Sequence, residues 1–394
     1  MRKFVSTTFF LGFAQCMGWL ALAALPCLPG PAVAAPEPAM MMPRAQHSLL
    51  VDIVRAGERL VAVGERGHVL YSDDSGQSWT QAQVPVSVLL TAVWFADARH
   101  GWAVGHDGMV IATSDGGASW QLQRDGVAAQ AELDRARLAE AKRALAALEE
   151  SAGGDPAAIE DARLDVEEAG ERLAEPVYAP PLMDVWFADA GHGIAVGAYG
   201  SLLVTADGGR TWSDARSRME NPDELHYYAI APGGGGRLLI VGESGIMFRS
   251  RDGGEHWEPL PTAYAGTLFG AFTVPPGDTV YVYGLQGNVL VSRDFGGSWT
   301  RLHSSSESVL AGAAVVREGE ALIVGSVGTV LRARLDAAVL EEHSVDRLRD
   351  NLAAVAVAPD GSLVLVGEKG VMRIAGDGGG SLAVAGTPAL AGEH

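Results

Sequence analysis

Apolar residues along this chain come in short runs rather than long stripes. From about residue 48 onward, runs rich in Val, Leu, Ile and aromatics are broken by Gly, Asp or Pro roughly every ten residues, the pattern of β-strands joined by tight turns. One run recurs in recognisable form, closing on Val-Gly-x-x-Gly or a near variant: LVAVGERGHVLYS, GWAVGHDGMVIAT, GIAVGAYGSLLVT, LLIVGESGIMFRS, VYVYGLQGNVLVS, ALIVGSVGTVLRA and LVLVGEKGVMRIA. The first glycine of the pair falls at Gly64, Gly105, Gly197, Gly242, Gly284, Gly325 and Gly367, with spacings of 41, 92, 45, 42, 41 and 42. The outlier is one period of about 42 plus roughly 50 inserted residues, so the count is seven units. Four strands fit each period; in the second unit LTAVWFAD, GWAVG, MVIAT and SWQLQ read as strands a to d. A unit of that size is one blade of a β-propeller, whose radial packing lets neighbouring blades bury each other's faces. The predicted fold is all-β, a seven-bladed propeller of four-stranded blades over residues 48–385.

A second motif, Ser/Thr-x-Asp-x-Gly-x-x-Trp, follows the first in five units. Its copies are Ser72, Asp74, Gly76 and Trp79; Thr113, Asp115, Gly117 and Trp120; Thr205, Asp207, Gly209 and Trp212; Ser250, Asp252, Gly254 and Trp257; and Ser292, Asp294, Gly296 and Trp299. This is an Asp-box at the c–d turn. The Asp accepts hydrogen bonds from the amides after it, the Gly supplies the positive φ of a tight hairpin, and the Trp packs between sheets with its indole N–H open to a backbone partner. Repetition argues for a structural role, because a reactive site is usually single. The sixth and seventh units keep only Asp336 and Asp377-Gly378-Gly379 in the corresponding region.

The insertion between Trp120 and Leu182 is the one strongly helical stretch, an antiparallel hairpin over residues 126–176. Leu138, Ala141, Leu145 and Leu148 on one helix, and Ile159, Ala162, Val166, Ala169 and Leu173 on the other, repeat at 3-4 spacing as coiled-coil seams. Ser151 to Gly154 makes the bend, Asp155 is placed as N-cap and Pro156 at the first helical position. A d-to-a insertion must leave the ring on the face opposite the Asp-boxes, where the b–c turns lie. The candidate partner-binding face is therefore Glu65, Arg66, His106, Asp107, Tyr199, Glu243, Gln286, Glu368 and Lys369, with the hairpin as a docking arm or a solvated ornament. From Glu132 to Glu175 the hairpin carries thirteen acidic and six basic residues.

Residues 1–35 read as a secretory signal: Arg2 and Lys3, then an apolar stretch from Phe4 to Leu25, then a small-residue site with cleavage after Ala34. A retained membrane anchor is the competing reading. Both cysteines, Cys16 and Cys27, lie in this segment, and Pro26 beside Cys27 argues against a lipid anchor, so the exported protein has no thiol chemistry. Residues 36–47 are a lead-in, either unstructured or an extra outer strand closing the ring, and 386–394 are a C-terminal tail. Removing the signal leaves 27 basic against 48 acidic residues, a net charge of −21, which excludes nucleic acid as a natural partner. No Gly-x-Ser-x-Gly, His-Glu-x-x-His or phosphate loop occurs, His100, His106 and His192 share no ligand spacing, and Asp97 and Asp189 read as turn formers. No cofactor, metal or catalytic residue is expected. The enzymatic alternative is a sialidase-like propeller glycoside hydrolase, with Glu65, Glu243 and Glu368 as candidate acids near the axis. It lacks a collected arginine clamp, since Arg249, Arg251 and Arg293 flank Asp-boxes on the other face.

The Val-Gly-x-x-Gly run before each Asp-box, together with the VWFAD strand at 93–97 and 185–189 and the signal ahead of seven blades, resembles the photosystem II stability/assembly factor family over roughly residues 48–380. The resemblance implies a non-enzymatic propeller that binds membrane-protein intermediates during assembly, with relatives in non-photosynthetic bacteria often associated with RND-type export machinery. This chain departs from the photosynthetic members in its acidity, without a concentrated Arg patch, and in its helical hairpin. The expectation is a periplasmic scaffold or assembly/stability factor for a membrane protein complex, with an RND-type transporter or similar client.

Overall fold

The computed structural model describes residues 35–151, 155–274, 277–304, 306–334, 339–342 and 349–374. The expected signal with Cys16 and Cys27, the remnants Asp336 and Asp377-Gly378-Gly379, and the tail 386–394 lie outside these residues. Blade 1 is β1 (Leu50–Ala56), β2 (Arg59–Gly64), β3 (Val69–Ser72) and β4 (Thr80–Gln81). Blade 2 is β5 (Leu90–Phe95), β6 (Gly101–Gly105), β7 (Val110–Thr113) and β8 (Gln121–Arg124). Two helices intervene, α1 (Gly126–Glu150) and α2 (Pro156–Ala174). Blade 3 is β9 (Leu182–Phe187), β10 (Gly193–Gly197), β11 (Leu202–Thr205) and β12 (Ser213–Asp214). Blade 4 is β13 (Tyr227–Pro232), β14 (Leu238–Gly242), β15 (Met247–Ser250) and β16 (Glu258–Pro259). Blade 5 is β17 (Leu268–Val274), β18 (Thr279–Gly284), β19 (Val289–Ser292) and β20 (Thr300–Leu302). Blade 6 is β21 (Leu310–Arg317), β22 (Glu320–Gly325), β23 (Val330–Arg334) and β24 (Val339–Glu342), and blade 7 is β25 (Leu352–Val357), β26 (Leu363–Gly367) and β27 (Gly370–Ile374). Each sheet is antiparallel in sequence order, so six blades are four-stranded and the seventh shows three strands among the described residues.

The Val-Gly-x-x-Gly run has a steric explanation that holds in all seven blades. The first glycine is extended, with φ near −170° where it opens a b–c turn, so backbone conformation does not require glycine. Close approach does: a Cβ at Gly64, Gly105, Gly197, Gly242, Gly284, Gly325 or Gly367 would overlap the carbonyl oxygen just before that blade's first strand. The same oxygen, on Leu49, Leu89, Pro181, His226, Thr267, Val309 or Asn351, accepts the N–H of the residue after the glycine. The second glycine is needed for its conformation, from φ +60° at Gly108 to +84° at Gly370. Two glycines per unit thus pin the end of strand b onto the start of strand a.

Seven apolar cores lie between successive blades, one joining Leu50, Ile53 and Leu60 to Ala354, Val364 and Val366, which closes blade 7 onto blade 1. The Asp-boxes staple these cores from outside. In the second box Thr113 Oγ1 donates to Asp115 Oδ1 at 2.7 Å and accepts the Gly117 N–H at 3.0 Å, while Asp115 accepts both the N–H and the hydroxyl of Ser119. The pattern repeats at Asp74, Asp207, Asp252 and Asp294. Hydrogen bonds hold Asp74, Asp207, Asp252 and Asp294 down to about 2. Gly76, Gly117, Gly254 and Gly296 press on Val364, Val61, Ile194 and Leu260 of the preceding blade. The indole N–H of Trp79, Trp120 and Trp257 donates to the carbonyl of its own box glycine, whereas those of Trp212 and Trp299 are buried without a partner among the described residues.

The helices begin as their sequences direct, with the Asp125 side chain accepting the Ala128 N–H and Asp155 the Ala157 N–H ahead of Pro156. Leu138, Leu145, Leu148, Ile159 and Val166 are half-buried along the contact between the two helices, and Arg163 reaches Glu149 across it at 3.0 Å. Residues 35–44 form no ring-closing strand. They lie along the outside of blade 1, with the Ala39 N–H on Val84 O and the Met42 N–H on Gln81 Oε1, and the turn Ala45–His47 packs beside β27. The segment is thus neither the extra outer strand nor the unstructured lead-in of the two readings, but an extended stretch tied to blade 1.

Candidate partner-binding face and axial channel

Strand a of each blade is innermost, because β1, β5, β9, β13, β17, β21 and β25 pack beside one another around the axis. In all seven blades this strand has a β-bulge after its first residues, a register shift opposite the end of strand b. A bulge re-aims its extra residue. Here Val51, Thr91, Met183, Tyr228, Phe269, Ala311 and Ala353 sit at the bulges and line the mouth of the central channel. The next position holds Ala92, Ala229, Gly270, Gly312 and Ala354 in five blades, but Asp52 and Asp184 in blades 1 and 3.

These two aspartates clasp neighbouring blades. Asp52 accepts the Ile53 N–H at 2.8 Å and, from blade 2, the Val93 N–H at 2.8 Å; Asp184 accepts the Val185 N–H and, from blade 4, the Ile230 N–H, both at 2.7 Å. Innermost strands leave every second N–H without a ladder partner, and the carboxylates fill that need at two of the seven junctions. Enclosure pushes Asp52 up to about 6, against the two backbone donors that favour its ionised form. It pushes Asp184 up to about 7, with the charge of Asp52 adding to it. Neither aspartate was singled out from the sequence. The signal is visible once the seven units are superposed on their first glycine, as an acid at a position otherwise held by Ala or Gly.

The hairpin leaves the ring on the face expected for it. Arg124, at the end of β8, donates to Gly108 O at 2.6 Å in the b–c turn of blade 2, and Gly126 lies against Asp107 and Gly108. On this face Arg66, Asp107, Tyr199 and Gln286 occupy the left-handed position of their turns, φ from 54° to 57°, as do Ser244 and Val327. Glu368 and Lys369 sit in a shorter turn, where β26 and β27 pair up to Gly367 and Gly370. Glu65 accepts the Leu49 N–H at 3.4 Å, Glu243 the His226 N–H at 3.2 Å and Glu368 the Asn351 side-chain amide at 2.9 Å, so each of these carboxylates helps hold the start of a strand a. Lys369 pairs with Asp350. His106 is exposed in its turn, and His100 and His192 cap turns on the Asp-box face through Asp97 and Asp189.

Tyr199 belongs to a feature that the sequence did not reveal, a line of aromatic rings across this face. Tyr178, in the link from α2 to β9, meets Tyr199 edge-on at 6.2 Å, and Tyr199 meets His226 at 4.8 Å. His226 lies 6.4 Å from Tyr228, and Tyr228 meets Phe269 at 5.1 Å. The line runs from the hairpin root, 59 % exposed at Tyr178 and 44 % at Tyr199, to the channel mouth. Its five members come from the α2–β9 link, one b–c turn and the starts of two innermost strands, so no local pattern announces them. Large rings left in water with a polar tip are the composition of a binding surface rather than of a solvated one.

The family model for the photosynthesis system II assembly factor YCF48 matches residues 71–142 and 171–266, omitting the outer part of the hairpin. A photosystem II assembly lipoprotein, Ycf48, from Synechococcus sp. (strain CC9902) is 38 % identical over 79 residues, which are 20 % of this chain and 23 % of that protein. The match thus spans less than a quarter of that relative's length. Among solved structures, YCF48 bound to D1 peptide superposes with a TM-score of 0.57 at 15 % identity, covering 86 % of this chain and 98 % of that one. YCF48 from Cyanidioschyzon merolae does so with a TM-score of 0.57 at 12 % identity over the same shares. The WD40 propeller domain of Doa1 follows at 0.54 and 11 %. At these identities the structural likeness is one of fold.

Proposed function

We propose that this chain, a propeller similar to photosystem II assembly factors, is a non-catalytic scaffold that binds a segment of a membrane-protein client on its b–c face, between the hairpin root and the channel mouth. The observation that carries the reading is the aromatic line from Tyr178 to Phe269, exposed at one end and leading to the axis at the other. Interface anchors are enriched in such rings, which bring large contact area at low conformational cost. A similar fold with a D1 peptide bound lends support to a peptide-binding role for propellers of this kind. Export to the periplasm enters the proposal from the signal-like N-terminal sequence alone, and an RND-type transporter as client from the family resemblance alone. The hydrolase alternative is disfavoured by the engagement of Glu65, Glu243 and Glu368 in strand contacts and by a channel lining without basic side chains.

The test is co-purification of the full chain with detergent-solubilised host membranes. Tyr178→Ser with Tyr199→Ser is expected to cut recovery of one defined membrane protein at least tenfold, while Arg293→Ser on the Asp-box face leaves it unchanged. Equal recovery with all three proteins, or loss with the Arg293 variant alone, would remove the b–c face from the account.

A further inference from the structure

The channel mouth holds more than a strand edge requires. It is a cavity of about 190 Å³ whose ionisable lining residues are Asp52, Asp184, Tyr228 and Tyr283, with no basic side chain among the lining. That is below the roughly 300–1,000 Å³ of pockets for drug-sized molecules, and suits the tip of a side chain. The four carboxylate oxygens each accept one backbone N–H, which fixes their orientation and leaves each oxygen further acceptor capacity at the cavity wall.

Tyr283 is the independent observation. It belongs to the second strand of blade 5, β18, and reaches the channel across Gly270 of the innermost strand, where a Cβ would overlap its hydroxyl. The residue is 5 % exposed, and its hydroxyl makes no hydrogen bond among the described residues. Enclosure raises this phenol well above its ordinary value, with the charges of Asp52 and Asp184 contributing, so it stays protonated. An unpartnered hydroxyl on an otherwise buried side chain, lining the cavity with two fixed carboxylates, is arranged for a visitor that donates hydrogen bonds and carries positive charge.

We propose that this cavity binds an organic ammonium group, the chemistry shared by a lysine side chain presented by a partner and a free primary amine. The two carboxylates supply the counter-charge, the Tyr283 oxygen accepts an N–H, and the faces of Tyr228 and Phe269 at the rim add cation–π attraction. A divalent metal fits less well, since no three His, Cys, Asp or Glu side chains converge anywhere among the described residues. The inference goes beyond the partner-binding reading: the cavity can fill with no client docked, and a client can dock with the cavity empty.

Occupancy must depend on pH, because Asp52 and Asp184 take up protons at about 6 and 7 while the phenols of Tyr228 and Tyr283 stay neutral. The full chain is titrated with methylammonium and, separately, with N-acetyl-lysine methylamide at pH 8.0 and pH 5.0 by saturation-transfer NMR. The same lysine methylamide acetylated at both Nα and Nε, and Ca²⁺ alone, serve as comparisons. Binding is expected at pH 8.0 and at least tenfold weaker at pH 5.0, absent for the acetylated lysine, lost in Asp184→Asn and weakened severalfold in Tyr283→Phe, which leaves both carboxylate clasps in place. Binding of both amines identifies a site for free amines, and binding of the lysine probe alone identifies a site for a partner's side chain; either supports the proposal. It is overturned if neither amine binds at pH 8.0, if Tyr283→Phe with an unchanged circular dichroism spectrum binds as the wild type does, or if Ca²⁺ binds with the same sensitivity to the two variants.

Discussion

Trp120 and Trp212 are a matched pair that isolates one hydrogen bond. Each closes an Asp-box and meets the Phe of its own blade's VWF strand edge-on, Trp120 against Phe95 at 6.1 Å and Trp212 against Phe187 at 5.8 Å. They differ at the indole nitrogen: Trp120 donates to Gly117 O at 3.0 Å, and the Trp212 N–H is buried without a partner among the described residues. Substituting Phe removes similar volume at both sites, a cost of about 1–2 kcal/mol by analogy with other large-to-smaller changes at packed sites. At Trp120 the lost hydrogen bond and the stranded carbonyl add about 1–2 kcal/mol, whereas at Trp212 removing an unsatisfied donor returns about 1–3 kcal/mol. Trp120→Phe should therefore destabilise by about 3 kcal/mol and Trp212→Phe should fall within about 1 kcal/mol of the parent. Urea denaturation followed by circular dichroism, with both variants at equal slope, reads the difference. Two variants agreeing within about 0.5 kcal/mol, the additivity error for independent sites, would refute the assignment of stability to the indole bond.

Three further outcomes follow from the same reasoning. His68 is fully buried with both ring nitrogens unpartnered among the described residues, and the equivalent place in blade 2 is Met109; His68→Met should stabilise by about 1–2 kcal/mol at pH 7. Burial lowers the His68 pKa below its free value, so its neutral form is stable above about pH 6.5 and stability is lost as pH falls further; the variant should lose less between pH 6.5 and 5 in thermal melts. Asp74→Ala removes an acceptor held down to about 2 by Ser78 and Ser72, but the carboxylate is exposed and screened, so the cost is about 1 kcal/mol. With the folded pKa depressed, that cost should be full above about pH 4 and vanish toward pH 2 in a pH series of melts. Replacing residues 143–170 with a short Gly-Ser linker cuts both helices where they run side by side and should leave melting nearly unchanged, with any loss of client recovery locating part of the interface on the arm.

What could be read from the chain is what repeats along it. Seven copies of Val-Gly-x-x-Gly announce seven identical junctions between strand b and strand a, because one backbone crossing needs the same missing Cβ each time. The hairpin was equally visible, since Asp155 and Pro156 start a helix by local chemistry. The channel and the aromatic line were not visible, for a common reason: their members are scattered over several units, with no spacing that repeats. Asp52 sits in LVDIV and looks like a polar break in an edge strand until its neighbours prove to be Ala and Gly in the other units. Tyr283 reads as one more β-forming aromatic, and its access to the axis depends on Gly270, thirteen residues earlier.

The claim that the b–c face receives the client is tested most directly by placing a photo-crosslinking phenylalanine analogue at Tyr199 and, in a second protein, at Arg293, and irradiating each with host membranes. A membrane protein joined through position 199 and not through 293, with the cross-link lost when Tyr178 is changed to Ser, is the predicted result. Cross-links through position 293 with none through 199 would contradict it.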